Sequence, residues 1–209
     1  MLVVLGMFGL LAGGAPSAAS AQTDGMFAVG AQLMDKTAVN PSVHGGPEIG
    51  IIWRVGHSVT GWGWDSAFNW FSTDVDRPVG GARVALGELD VKPVMVGYGY
   101  THARNRIAIT GDVLGGYAFT HFSMASAAVA AFQQRLGAQV IDTDISNTFV
   151  LKPEVGVWYD VNQKIGLNIS AGYLIARPRL TITSTGAQDS RRVRADMLML
   201  NFGFVYSVF

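Results

Sequence analysis

Charged side chains are scarce in this 209-residue chain, 15 basic against 15 acidic, so those that interrupt apolar stretches need a reason to be there. Seven do: Glu48, Arg54, Asp65, Asp112, Lys152, Glu154 and Asp160. Opposite charges withdrawn from water need partners. The plainer reading is a plugging network of ion pairs, and the sharper one is a narrow gated ion path. His121-Phe122-Ser123 is the single arrangement suited to nucleophilic chemistry, because alternate residues of a strand share a face and would set His beside Ser. A third group must orient such a base, and no carboxylate follows before Gln133. His121 also shares its parity with Phe119, which turns it outward. No catalytic residue is therefore assigned, and His121 with Ser123 stays the weaker alternative. Arg191, Arg192 and Arg194 form a basic run; guanidinium suits phosphate, and a solvated loop is the plainer alternative. None of the 4 histidines stands two or four residues from another, and there is no cysteine, so neither a metal site nor a disulfide is expected. Gly97, Gly99, Gly115 and Gly116 lie inside strand-like stretches instead of before helices, so no phosphate loop and no cofactor are expected.

The elements that must carry these residues are strands. Formal net charge is +0 while hydrophobics reach 49%, which gives no field for nucleic acid. No apolar run of the length of a spanning helix occurs beyond the N-terminus. Met197 to Phe209 alternates instead: Leu198, Leu200, Phe202, Phe204, Tyr206 and Val208 on one face, Met199, Asn201, Gly203, Val205 and Ser207 on the other. That is the period of a strand. Its greasy face, and its end on an aromatic, suit a barrel closing on its last strand in a membrane.

Residues 1–21 read as an export signal, with an apolar core from Leu2 to Ala15, a break at Pro16 and Ala19-Ser20-Ala21 before Gln22. The mature domain is then 22–209. Inside it, Pro47-Glu-Ile-Gly-Ile-Ile-Trp53 resembles Pro153-Glu-Val-Gly-Val-Trp-Tyr159, with Pro93-Val-Met-Val-Gly-Tyr-Gly-Tyr100 between them. Each proline opens about ten residues of strand, the length that crosses a bilayer when tilted. Short polar turns follow at Gly56–Thr60, His102–Asn105 and Asn162–Lys164, and second strands rise over Trp62–Phe71, Ile107–Phe122 and Ile165–Ile175. A first strand over Met26–Met34 and the last from Met197 bring the total to eight. The other connections are long: Asp35–Gly46, Asp74–Gly87, Met124–Asn147 and Ser184–Ala195. Ala125 to Leu136, Ala-rich with Val129, Phe132 and Leu136 at helical spacing, predicts a short helix covering the mouth.

Alternation sorts the faces. Ile49, Ile51, Trp53 and Val55 oppose Glu48, Gly50, Ile52 and Arg54. Trp62, Trp64, Phe68 and Trp70 oppose Asp65, Ala67 and Asn69. Leu151, Val155, Val157 and Tyr159 oppose Lys152, Glu154, Gly156, Trp158 and Asp160. Every mid-strand charge falls opposite the aromatics, so the charges share an interior. Trp53, Trp62, Trp64, Tyr98, Tyr100, Tyr159 and Tyr206 all lie near the short turns or the chain end and predict a belt at one membrane interface. Phe68, Trp70, Phe119, Phe149 and Tyr173 predict the other.

With export signal, hairpin repeat, short turns opposed to long loops and a terminal Phe209, the chain resembles the small eight-stranded outer-membrane barrels, the superfamily of OmpX, OmpW and the OmpA membrane domain. The resemblance implies an all-β, eight-stranded antiparallel up-and-down transmembrane barrel in an outer membrane. It further implies a monomer in membrane lipid, with Phe209 as an insertion signal for the barrel-assembly machinery; eight closed strands leave no open pore, and the arginine run suits the phosphates of lipopolysaccharide. A structural or surface-binding role through the long loops is the expectation. The alternatives are a narrow gated ion pore and, since His beside Ser at a barrel mouth resembles the lipid A deacylases, an acyl-ester hydrolase. One departure is visible. In that family the terminal aromatic shares the lipid face with alternate preceding residues, here Ser207, Val205, Gly203 and Asn201, whereas the greasy set has the other parity. Either a local bulge displaces Phe209 or the signal differs.

Overall fold

The computed structural model describes residues 27–38, 46–55, 59–79, 81–137 and 139–207. Residues 1–21, expected to be an export signal, and Phe209 lie outside them. Eight strands form a closed antiparallel barrel: β1 (Phe27–Ala38), β2 (Gly46–Val55), β3 (Gly61–Val79), β4 (Ala82–Arg104), β5 (Ile107–Met124), β7 (Thr148–Asp160), β8 (Ile165–Ala176) and β11 (Met197–Ser207). Closure is made by β11 lying along β1, with Tyr206 opposite Val29 and Phe202 opposite Leu33. Closure leaves no strand edge, so every backbone polar group of the wall can be satisfied inside lipid.

The faces fall as the alternation predicts. Leu198, Leu200, Phe202, Phe204 and Tyr206 are exposed, while Met199, Asn201, Gly203 and Val205 are buried. Phe149, at 81% the most exposed large apolar side chain among the described residues, shows how far the outward surface departs from that of a water-soluble domain. At the short-turn end Trp62 stacks on Tyr98 at 5.4 Å, and Trp64 meets the same tyrosine edge-on at 5.1 Å. At the other end Tyr117 packs edge-on against Phe149 at 5.3 Å and Phe119 at 5.6 Å. Two aromatic levels with an apolar band between them are what seats a barrel in a bilayer.

Three expectations need correction. Pro93 and Pro153 do not open strands but sit in the middle of β4 and β7. The cost appears in the ladders: the β3–β4 pairing lapses between Phe68↔Val94 and Phe71↔Val91, and the β7–β8 pairing between Leu151↔Ile175 and Glu154↔Gly172. Proline has no N–H to give there. Second, Asp74–Gly87 is not a loop. β3 and β4 continue past the membrane level and turn near Gly81, whose φ of 85° favours glycine. Third, Ser184–Ala195 holds part of a hairpin, β9 (Arg179–Ser184) with β10 (Ala187–Arg192), which joins β6 (Val140–Ile145) in a separate three-stranded sheet. The helix α1 runs Ser126–Leu136 and ends on Gly137 in the left-handed conformation, close to the expected span.

A bulge anchors that helix. Val75 pairs with Gly87 and Asp76 with Ala85, leaving Leu86 without a partner in the ladder. Its freed carbonyl accepts a 2.8 Å hydrogen bond from the N–H of Ala125, the residue capping α1. Ala128 then packs into the same apolar cluster as Phe71, Leu86, Leu89 and Phe122 inside the barrel, and as Leu180 and Ile182 of β9. Helix and sheet therefore lie over the mouth at the long-loop end.

Candidate functional site

Inward-facing residues fill the lumen with two apolar clusters and a polar network. Nearest the short turns, Ala28, Ile52, Ala108, Trp158 and Val205 form a small apolar cluster. Toward the long loops, Phe71, Leu89, Val91, Met95, Leu114, Met197 and Met199 belong to a much larger one. The polar network overlaps the first cluster in height, since Arg54 stands opposite Ala28 and two residues nearer the short turn than Ile52. Arg54 and Lys152 are each 1% exposed. Arg54, from β2, reaches Asp65 of β3 at 3.3 Å and Asp112 of β5 at 2.8 Å, and donates a 2.9 Å hydrogen bond to Thr101 of β4. Lys152 pairs with Glu154, two residues along β7 on the same face. Asn201 of β11 donates to Glu154 at 3.1 Å and to Ser170 of β8 at 2.9 Å. Two cations thus face three carboxylates, and low-dielectric surroundings strengthen each contact. At Gly99 an added Cβ would overlap the Asp112 carboxylate, so glycine makes room for the network.

Five of the seven predicted lumen charges meet here: Arg54, Asp65, Asp112, Lys152 and Glu154. Asp160, the last residue of β7, is half-buried at the short-turn rim, opposite Gly166. The backbone of Glu48 pairs with Met34, and its side chain lies outside the described residues. The neutral partners Thr101, Ser170 and Asn201, with the buried Gln32, Asn69 and Asn168, were not singled out from sequence. Sharing the parity of the charges was the available signal.

The other candidates lie outside the barrel wall. His121 and Ser123 are exposed, with Asp90 directly opposite His121 and Glu88 opposite Ser123 on β4. Topology thus supplies the carboxylates that the neighbouring sequence lacks. Among the described residues, however, neither His121 nor Ser123 takes part in a side-chain hydrogen bond, so no base is oriented toward a nucleophile.

In the outer sheet Arg191 is held by Asp189 at 3.1 Å, and Asp189 also binds Arg77 of the β3–β4 hairpin at 2.7 Å. Arg177 pairs with Asp196 at 3.3 Å. Arg192 and Arg194 are exposed, and Arg192 stands directly opposite Arg179. Among the described residues no carboxylate pairs with Arg179, Arg192 or Arg194. Like charges placed opposite each other destabilise a sheet unless an anion lies between them.

This architecture is that of the small eight-stranded barrels of outer membranes. The crystal structure of OprG from Pseudomonas aeruginosa superposes with a TM-score of 0.68 at 16% identity, covering 87% of this chain and 95% of that one. AlkL, determined in lipid bilayers, gives 0.55 at 14% identity over 93% and 95%, and Escherichia coli outer membrane protein W gives 0.52 at 15% over 88% and 97%. No protein-family model matches the chain, and no curated protein matches it by sequence. The fold is the one these outer-membrane proteins share, and the outward apolar band suits it to a bilayer.

Proposed function

We propose that this integral outer-membrane barrel is a closed, non-enzymatic surface-binding protein, and that it binds the phosphates of lipopolysaccharide through Arg179, Arg192 and Arg194. The observation that carries the reading is the direct opposition of Arg179 and Arg192 without a carboxylate for either. An arginine pair that would otherwise repel is a receptor for a phosphate group, which accepts from both guanidinium forks. Its side of the membrane fits. Arg179 lies six residues beyond Tyr173 of the upper aromatic level, on the long-loop side. The packed lumen supports the other half of the proposal, because buried apolar side chains and paired charges together fill it.

The test is binding of purified lipopolysaccharide to the detergent-solubilised protein. Arg179→Gln with Arg192→Gln should weaken it tenfold or more, and raising the salt concentration should weaken the wild type in the same direction. Unchanged affinity in the double variant would refute the assignment.

A further inference from the structure

The apolar band is not uniform. On its lipid side, five adjacent strands carry two rows of outward side chains in register. The upper row is Trp70, Ile49, Leu33, Phe202 and Ile169; the next is Phe68, Ile51, Ala31, Phe204 and Leu167. Nine of these ten positions are bulky. Ala31, at the middle of the second row, is not, and around it the surface sinks into an apolar groove of about 750 Å³ whose floor reaches Gly50 and Gly203. A second hollow of about 440 Å³ shares Ala31, Ile51 and Phe204 and continues the groove to Tyr206. Five strands spaced by ~4.8 Å span about 19 Å. One leaflet of a ~30 Å hydrocarbon core, crossed obliquely, has a similar length.

The head of the groove carries a charge. Trp70 closes it at the upper aromatic level, and the Nζ of Lys92 lies 4.6 Å over the Trp70 ring. Lys92 faces outward from β4, opposite Phe119. Among the described residues no carboxylate pairs with it. The ring fixes the ammonium and leaves its N–H donors for another acceptor at headgroup height.

We infer that this face seats one phosphate-bearing diacyl lipid, its phosphate on Lys92 and one acyl chain in the groove past Ala31. The inference rests on the reading of the chain as a membrane barrel. It is independent of the arginines of the outer sheet.

The probe is phosphatidylglycerol, with diacylglycerol as the phosphate-free control, counted by native mass spectrometry of the full chain released from mixed micelles. The wild type should retain one phosphatidylglycerol, at least tenfold over diacylglycerol. Ala31→Phe and Ala31→Met point into lipid, so both should keep the heat-modifiable gel mobility of a folded barrel. Both should lose at least tenfold in retention. Lys92→Gln should hold the two lipids alike. No retained lipid on the wild type, or full retention in both Ala31 variants, overturns the inference. So does a dimer lost in those variants, since a second copy would then occupy the groove. Retention that falls with Arg179→Gln and Arg192→Gln instead of Lys92→Gln would move the phosphate to the outer sheet and overturn the assignment to Lys92.

Discussion

The guanidinium of Arg54 lies 2.8 Å from the carboxylate of Asp112, although β3 and β4 separate their strands in the barrel wall. The contact therefore crosses the lumen instead of following the sheet. With Asp65 and Thr101 it ties four consecutive strands together from inside. Removing one partner of a buried pair leaves the other charge uncompensated, at a cost of about 3–5 kcal/mol. Arg54→Ala should therefore lower unfolding stability in micelles by about that much, and Arg54→Ala with Asp112→Ala by less than the sum of the single changes. Additive losses would mean that the two residues are not coupled.

Depth in the bilayer gives a second expectation. Val155 faces lipid between Tyr159 and Phe149, the two aromatic levels of β7. Arginine near the midplane costs about 2–4 kcal/mol and close to nothing beyond the interface. Val155→Arg should destabilise the barrel in lipid vesicles by that amount, and Ser123→Arg, above the Phe119 level, by less than about 1 kcal/mol. Equal effects would place the membrane elsewhere.

The last strand permits a direct reading of parity. The chain contains no cysteine, so single cysteines can be placed without background. Labels at Leu198, Leu200, Phe202 and Phe204 should be quenched by a lipid-borne quencher, and those at Met199, Asn201 and Val205 should not. The reverse pattern would turn the strand over and put Phe209's own parity in lipid.

How much of this could be read beforehand follows from where each face looks. Between the aromatic levels one face meets lipid and the other a packed lumen, so alternation is strong, and Leu151 to Tyr159 was legible residue by residue. Above the membrane both faces of a strand can be wet. Ala187 to Arg192 is exposed throughout, so no period marks it as a strand, and the β9–β10 hairpin passed for a loop. Pro93 and Pro153 misled because a missing ladder bond usually marks a strand end, whereas here the neighbouring pairs hold the register. Parity told that Arg54 and Asp112 share the interior. It could not tell that they touch, because their contact spans the lumen between strands that are not neighbours. Lys92 on Trp70, and the groove around Ala31, depend on five strands being aligned at once, which no local pattern encodes.

The central claim is that the lumen is closed, packed around its polar network by Trp158 and its neighbours and by the Phe71–Leu86–Phe122 cluster. Current across a planar bilayer containing the purified barrel measures this most directly. The account predicts a baseline indistinguishable from protein-free lipid for the wild type, with steps appearing only when that packing is cut, as in Trp158→Ala combined with Leu86→Ala. Discrete conductance steps in the wild type, altered by Arg54→Ala or Lys152→Ala, would contradict it and make the charged network an ion path.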